Sequence, residues 1–210
     1  IPTPDCYYDF TNGDNASETR DTIVDLSGNG NDAKAYNFAW NEAGSGYKDG
    51  VLQFDGTDDY ISLEAFDSGF QTILMLCNYS TSKILYDQRN DEHQFSTDAR
   101  FVIFAQGNGV AYNWGNVGGV TYINGKLNSS VLTNETVLKK HCICINNPTV
   151  TSEFTTTPKI GGPSTTTSTS YAKMSIFKFL GFKEALTEEQ IQYVIKKYNL
   201  LDGVDEIEVS

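Results

Sequence analysis

The sequence predicts an all-β protein: two antiparallel sheets packed face to face, with one short helix near the C-terminal end. Three observations carry the prediction. Apolar residues recur in many short runs, and Gly, Asn and Asp turns separate them, as in an antiparallel sandwich. An Asn124-Gly125 pair stands between Val120-Thr121-Tyr122-Ile123 and Lys126-Leu127-Asn128, the strongest two-residue hairpin signal. Only the late segment from Thr187 to Tyr198 repeats its apolar residues at helical spacing.

The elements follow in order. Cys6 to Phe10 opens as an aromatic strand closed by the turn Thr11-Asn12-Gly13-Asp14, and Thr22 to Leu26 leads into Ser27-Gly28-Asn29-Gly30-Asn31-Asp32. That hexapeptide reads as tight turns, because Gly and Asn accept positive φ. Ala33 to Tyr36 resumes an extended segment, and the Gly-rich, aromatic stretch from Trp40 to Lys48 reads as an exposed loop. Val51 to Phe54 and Tyr60 to Leu63 are strands around the turn Asp55-Gly56-Thr57-Asp58-Asp59. Further strands are expected at 73–78, 84–87, 94–96, 101–105, 111–114 and 137–145, with a short one at Lys159-Ile160 in a Thr- and Ser-rich loop. Met174 to Phe182 alternates large apolar residues with smaller or polar ones, as a half-buried strand does. Thr187 then stands three residues before Gln190, so a capping box can start a helix over 187–198 that covers one edge or end of the sandwich. Phe54, Ile61, Leu74, Leu76, Ile103, Ile143, Ile145, Ile176 and Phe179 are the expected core.

A chain of 210 residues fits one large sandwich, with 1–5 as a linker, 6–201 as the domain and 202–210 as a tail. A net charge of -12 excludes nucleic acid and disfavours anionic membrane surfaces as partners, and leaves a glycan or a protein neighbour. No apolar run has the length of a membrane span, and the first residues have neither the basic nor the apolar segment of a signal peptide. With no initiator Met, the chain reads as a processed product, an excised domain or the ordered part of a longer protein. Cys142 and Cys144 flank Ile143 on one strand face, about 6.5–7 Å apart along an extended chain, at or beyond the disulfide limit. With Cys77 in another apolar run and no CxxC pair, all four thiols are expected to be free. Cys6, near the terminus, is the expected reactive one.

Several motifs stand in the order found in one family. These are Tyr8-Asp9-Phe10, Asp25-Leu26-Ser27-Gly28-Asn29-Gly30-Asn31-Asp32-Ala33, Leu52-Gln53-Phe54-Asp55-Gly56 through Tyr60-Ile61, Tyr122-Ile123-Asn124-Gly125-Lys126, Ile160-Gly161-Gly162 and the Leu186 to Ile191 helix start. Together they resemble a laminin G-like domain of the concanavalin A-like jelly-roll class, with Ala33 where Gly is usual. The resemblance implies a jelly-roll sandwich, a scaffold mostly for binding and sometimes for catalysis. It is similar to modules on bacterial surface proteins and on structural proteins of their phages. The tract Ile84 to Arg89 and the reduced-looking cysteines favour the phage side, because virion proteins fold where thiols stay reduced.

Such a scaffold can carry three kinds of site. Jelly-roll glycanases set Glu-x-Asp-x-x-Glu on one strand, so that alternate carboxylates share a face. The nearest string, Asp205-Glu206-Ile207-Glu208, follows the terminal helix, and Asp91-Glu92-His93 lacks the spacing. No enzyme is therefore expected. Asp25, Ser27 and Asn29 match the first half of an EF-hand loop without its closing Glu, so no cofactor is expected beyond one structural Ca²⁺ held there. The competing reading is an Asx turn satisfying its own backbone; the Asp55–Asp59 turn stands between the same two readings. Sugars stack on exposed rings while amides and charges take their hydroxyls, which points to Trp40, Tyr47, Tyr112, Asn113 and Trp114, with Asp87 and Arg89 as polar contacts. The competing reading places these rings in the core. The expected function is a non-catalytic binding or adhesion module for a glycan or protein, on a phage virion or a bacterial surface. The alternatives are a purely structural virion component and a jelly-roll glycoside hydrolase.

Overall fold

The computed structural model describes residues 1–41, 43–66, 69–79, 83–88, 102–105, 111–114, 120–127, 140–146, 157–164 and 169–204, with side chains for all but 102–105 and 111–114. The strands are β1 (Cys6–Asp9), β2 (Thr22–Ile23), β3 (Ala33–Tyr36), β4 (Gly46–Lys48), β5 (Val51–Gln53), β6 (Tyr60–Ser62), β7 (Thr72–Tyr79) and β8 (Ile84–Asp87). They continue as β9 (Val102–Ala105), β10 (Ala111–Trp114), β11 (Val120–Ile123), β12 (Lys126–Leu127), β13 (His141–Asn146), β14 (Lys159–Ile160) and β15 (Met174–Phe182), followed by the helix α1 (Glu188–Lys197).

Two sheets form. The first runs β12-β11-β13-β7-β15-β5-β4, with β1 also on β15, and the second runs β10-β9-β8-β14-β6-β3-β2. Every ladder between these strands is antiparallel. β15 serves two partners along one edge: Ser175 and Ile176 face β5, and Lys178 to Gly181 face β1. The register against β7 shifts between Ile176 and Lys178, a bulge that bends the long strand where its partner changes.

The strand period of two explains the layers. Ile73, Met75, Ile143, Ile145, Ile176 and Phe179 point from the first sheet into a core shared with Ala35, Ile61, Leu85, Tyr86 and Ile160 of the second. Their neighbours Leu74, Leu76, Cys142, Cys144, Leu180 and Phe182 point the other way, under Ile191, Val194 and Ile195 of α1. The first sheet is therefore buried on both faces, which is why β7 and β13 read as continuous apolar runs rather than alternating ones. The helix covers this outer face, and not an edge or end as the sequence suggested. An apolar outer face has to be removed from water, and the helix is the element that removes it.

Local chemistry seats the helix. Gln190 N–H donates to Thr187 Oγ1 at 3.2 Å and Thr187 N–H donates to Gln190 Oε1 at 2.8 Å, the expected capping box. Before it, Asn146 Nδ2 donates to Leu186 O at 2.7 Å, and Leu186 N–H donates to Thr72 Oγ1 at 3.1 Å. At the other end Lys178 Nζ donates to Tyr198 O at 2.9 Å, a cation on the last helical carbonyls.

The expected core residues whose side chains are described are all buried; the side chain of Ile103 lies outside the described residues. The strand expected at 94–96 lies outside them as well. Residues 2–5 are packed rather than free like a linker: Pro2 and Pro4 are buried, and Asp5 O accepts from Asn31 Nδ2 at 2.8 Å. Cys6 is also corrected. Its side chain lies inside the core, where burial pushes the thiol far above its ordinary range, so it is not the reactive cysteine. All four cysteines are free thiols and all are buried.

Two outcomes follow. Leu180→Ala, which opens the layer between sheet and helix, should cost about 2–5 kcal/mol in chemical denaturation. Maleimide should label no cysteine in the native protein and, as the four free thiols require, all of them after unfolding without reductant.

Candidate functional site

Strands β4 and β5 form an edge of the first sheet, and there the 12–16 turn meets the 40–50 segment. An open depression of about 460 Å³ lies between them, lined by Asp14, Asn15, Trp40, Asn41, Tyr47 and Asp49 among others. The loop expected from Trp40 to Lys48 is less exposed than its composition suggests. Gly46–Lys48 pair with β5, and Trp40 and Tyr47 lean half-buried on the core, their ring centroids 5.9 Å apart. Behind Trp40, Phe38 stacks at 5.0 Å, and the Arg20 guanidinium lies 5.9 Å from the Trp40 ring centroid.

Asn15 holds the two segments together. Its Oδ1 accepts from Tyr47 N–H at 2.7 Å and its Nδ2 donates to Tyr47 O at 2.8 Å, so one amide side chain pairs with both backbone groups of a residue on β4. Gly13 is needed for the approach, since a Cβ there would stand 2.0 Å from the Tyr47 ring. Gly46, at φ 138°, leaves room for the Asn15 amide. Non-glycine residues with positive φ among the described residues are Asn37, Trp40, Asp49, Asn124 and Asn199. Asn tolerates this region best, and the other two, Trp40 and Asp49, both line the depression. A bulky ring held on a left-handed backbone is strain kept at one place by its surroundings, the pattern of functional sites.

The structure brings Trp40 and Tyr47 together and leaves the other described candidates elsewhere. Asp87 ends β8 in the middle of the second sheet, fully buried, and its Oδ2 accepts from Ser164 N–H at 3.2 Å. It offers no exposed polar contact. Tyr112, Asn113 and Trp114 lie on β10 at the far edge of that sheet, and Arg89 falls outside the described residues. Sequence reasoning missed Asn15, Arg20 and Asp49. Nothing in the chain announces the pairing of Asn15 with a residue so far along.

Two acidic turns differ in how their oxygens are used. At the first, Asp25 Oδ1 accepts from the N–H groups of Tyr7 and Ser27, both at 2.9 Å, and Oδ2 accepts from Ser27 Oγ at 2.7 Å and Asn31 N–H at 3.0 Å. The Asn29 amide nitrogen turns to Pro4 O at 3.1 Å. These contacts satisfy the turn's own backbone. Burial raises the Asp25 carboxyl, but the donors of Tyr7, Ser27 and Asn31 outweigh it and leave the pKa below the ordinary value. At the second turn, Asp59 Oδ2 accepts from Asp55 N–H at 2.8 Å, and Thr57 N–H donates to Asp55 Oδ1 at 2.7 Å. Burial, helped by the charge of Asp55, pushes the Asp59 carboxyl up to about 6.

No family model matches the chain, and no curated protein matches it by sequence. Solved structures share its fold. One is the sialidase of Trypanosoma rangeli bound to 2,3-difluorosialic acid as a covalent intermediate: 13% identity, TM-score 0.58, covering 97% of this chain and 34% of that one. Another structure of the same sialidase gives 14% identity and a TM-score of 0.50, with 95% and 33% covered. The chain thus spans about a third of the sialidase it is similar to, and at such identity the likeness is one of fold. The expectation of a non-catalytic adhesion module is corrected here. Both of these solved chains are of a sialidase, a finding that counts against that expectation.

The Asp25 turn generates a pH prediction. A carboxyl with a lowered folded pKa adds stability above its unfolded value near 4, and that stability is lost as pH falls through the folded pKa. Asp25→Asn should therefore cost about 1–3 kcal/mol at neutral pH. Its unfolding free energy should also fall less steeply than that of the wild type below about pH 4, measured by urea titration across pH.

Proposed function

We propose that this chain is the β-sandwich portion of a glycoside hydrolase, and that the depression beside Trp40 holds a sugar of its glycan substrate. The observation that carries the reading is Trp40 itself: a half-buried ring on left-handed backbone, at an open depression whose lining includes Tyr47, short amides, carboxylates and Lys48. An aromatic face takes the apolar side of a sugar ring, and the amides and charges around it match hydroxyls. The fold likeness to the sialidase along nearly the whole chain supports the enzyme class and suggests a sialylated glycan, whose carboxylate Lys48 would meet. The finer assignment to the laminin G-like jelly-roll class rests on the order of the turn motifs and on the two-sheet topology.

In this arrangement Trp40 binds substrate equally before and during the chemical step, so its loss falls on KM and not on kcat. Trp40→Ala, with an unchanged far-UV spectrum, should raise KM for a sialylated substrate about tenfold in the enzyme that contains this sandwich, the worth of one ring stack. Saturation-transfer NMR on this chain with sialyllactose should show sugar protons receiving magnetisation, and the same variant should erase it. Transfer that survives Trp40→Ala, or none with any sialylated or neutral glycan, would overturn the reading.

A further inference from the structure

We infer that Asp55, Asp58 and Asp59 form a binding site for a divalent cation, with Ca²⁺ the ion that the donor set suits. One carboxylate oxygen from each of the three lies within 4.8 Å of the others. Acidic clusters on a surface are common, and this one is set apart by its buried member. Asp59 is wholly inaccessible to solvent, yet its Oδ1 has no hydrogen-bond partner. Its other oxygen is spent on Asp55 N–H at 2.8 Å. The buried Ser45 hydroxyl lies beside Asp59, and its oxygen accepts from Ala39 N–H at 3.0 Å.

The contrast with the first acidic turn is the argument. Asp25 is nearly as buried, and the chain supplies four donors to its two oxygens. The second turn supplies Asp59 one backbone donor and places two more carboxylates beside it instead of N–H groups. A buried anionic oxygen without a donor, facing further anions, is a costly arrangement that a cation removes. The donors are all carboxylate oxygens, with no imidazole or thiolate, so the ion is a hard one. Asp55 and Asp58 are exposed and leave room for water to complete the shell, which fits the irregular coordination of Ca²⁺ better than the strict octahedron of Mg²⁺.

One positive side chain is a rival. The stem of Lys173 packs against this turn, with its Cβ 2.8 Å from where a Cβ on Gly56 would stand. The experiment separates the two. Calorimetric titration of the chain with CaCl₂ should show one saturable site with a Kd of about 10⁻⁴–10⁻³ M. A hundredfold excess over that Kd should raise the melting midpoint by about 5 °C or more. Asp58→Asn, at an exposed position that leaves the fold intact, should weaken binding at least about tenfold. Asp59→Asn should abolish it, and the remote Asp202→Asn should leave it unchanged. The inference is overturned by a flat titration up to about 10 mM Ca²⁺, or by binding that ignores both Asp58→Asn and Asp59→Asn. It is also overturned by a midpoint that falls with Lys173→Met and does not respond to Ca²⁺, which would give the neutralising role to the lysine.

Discussion

The structure depends on the double burial of the first sheet. β7, β13 and β15 present large apolar side chains on both faces, so neither face can be left to water. The inner face meets the second sheet through Ile73, Met75, Ile143 and Phe179, and the outer face meets the helix through Leu74, Leu76, Leu180 and Phe182. A shift of one residue in register would exchange the two sets against layers of different shape, so the ladder is strongly specified. The polar ends of these strands are drawn into the same plan. Thr72 and Asn146 lie opposite each other across β7 and β13, and both hold the backbone of Leu186, which aims the chain into its helix. Buried polar groups placed this way fix a direction that apolar contact alone would leave loose.

The candidate site follows from where this plan stops. β4 and β5 lie at the edge of the doubly buried sheet, where short strands give way to loops and side chains are only half covered. Here the backbone can be bent into unusual conformations, provided other groups hold it. Phe38 behind Trp40, Arg20 beside its ring and the Asn15 amide on Tyr47 are those groups. The rigid sheet supplies the floor and the loops supply the chemistry, which is the usual division of labour in sandwiches.

Part of the site was legible in the chain. An aromatic pair in a Gly-rich stretch made Trp40 and Tyr47 candidates, with burial in the core as the competing reading, and the structure leaves both half-buried at the depression. The same reasoning misread Asp87, because a carboxylate at a strand end looks exposed until a neighbouring strand and Ser164 cover it. It also treated the two acidic turns alike. Their sequences are similarly rich in Asp and Gly, and the difference lies in donors from Tyr7 and Asn31, which reach Asp25 and have no counterpart at Asp59.

By itself the sequence determined several elements: the period-two runs, the Asn-Gly hairpin and the Thr187–Gln190 capping box are local effects, set by residues within a few positions of one another. It also ruled out a bridge between Cys142 and Cys144, because alternation along β13 puts them side by side at an unsuitable distance. Tertiary structure alone decided which face the helix covers, that Cys6 and the first prolines are buried, and that Asn15 meets Tyr47. Each of these rests on a contact between segments distant in the chain. Such contacts are chosen by the competition among all apolar surfaces for burial, and no short stretch of sequence records its outcome.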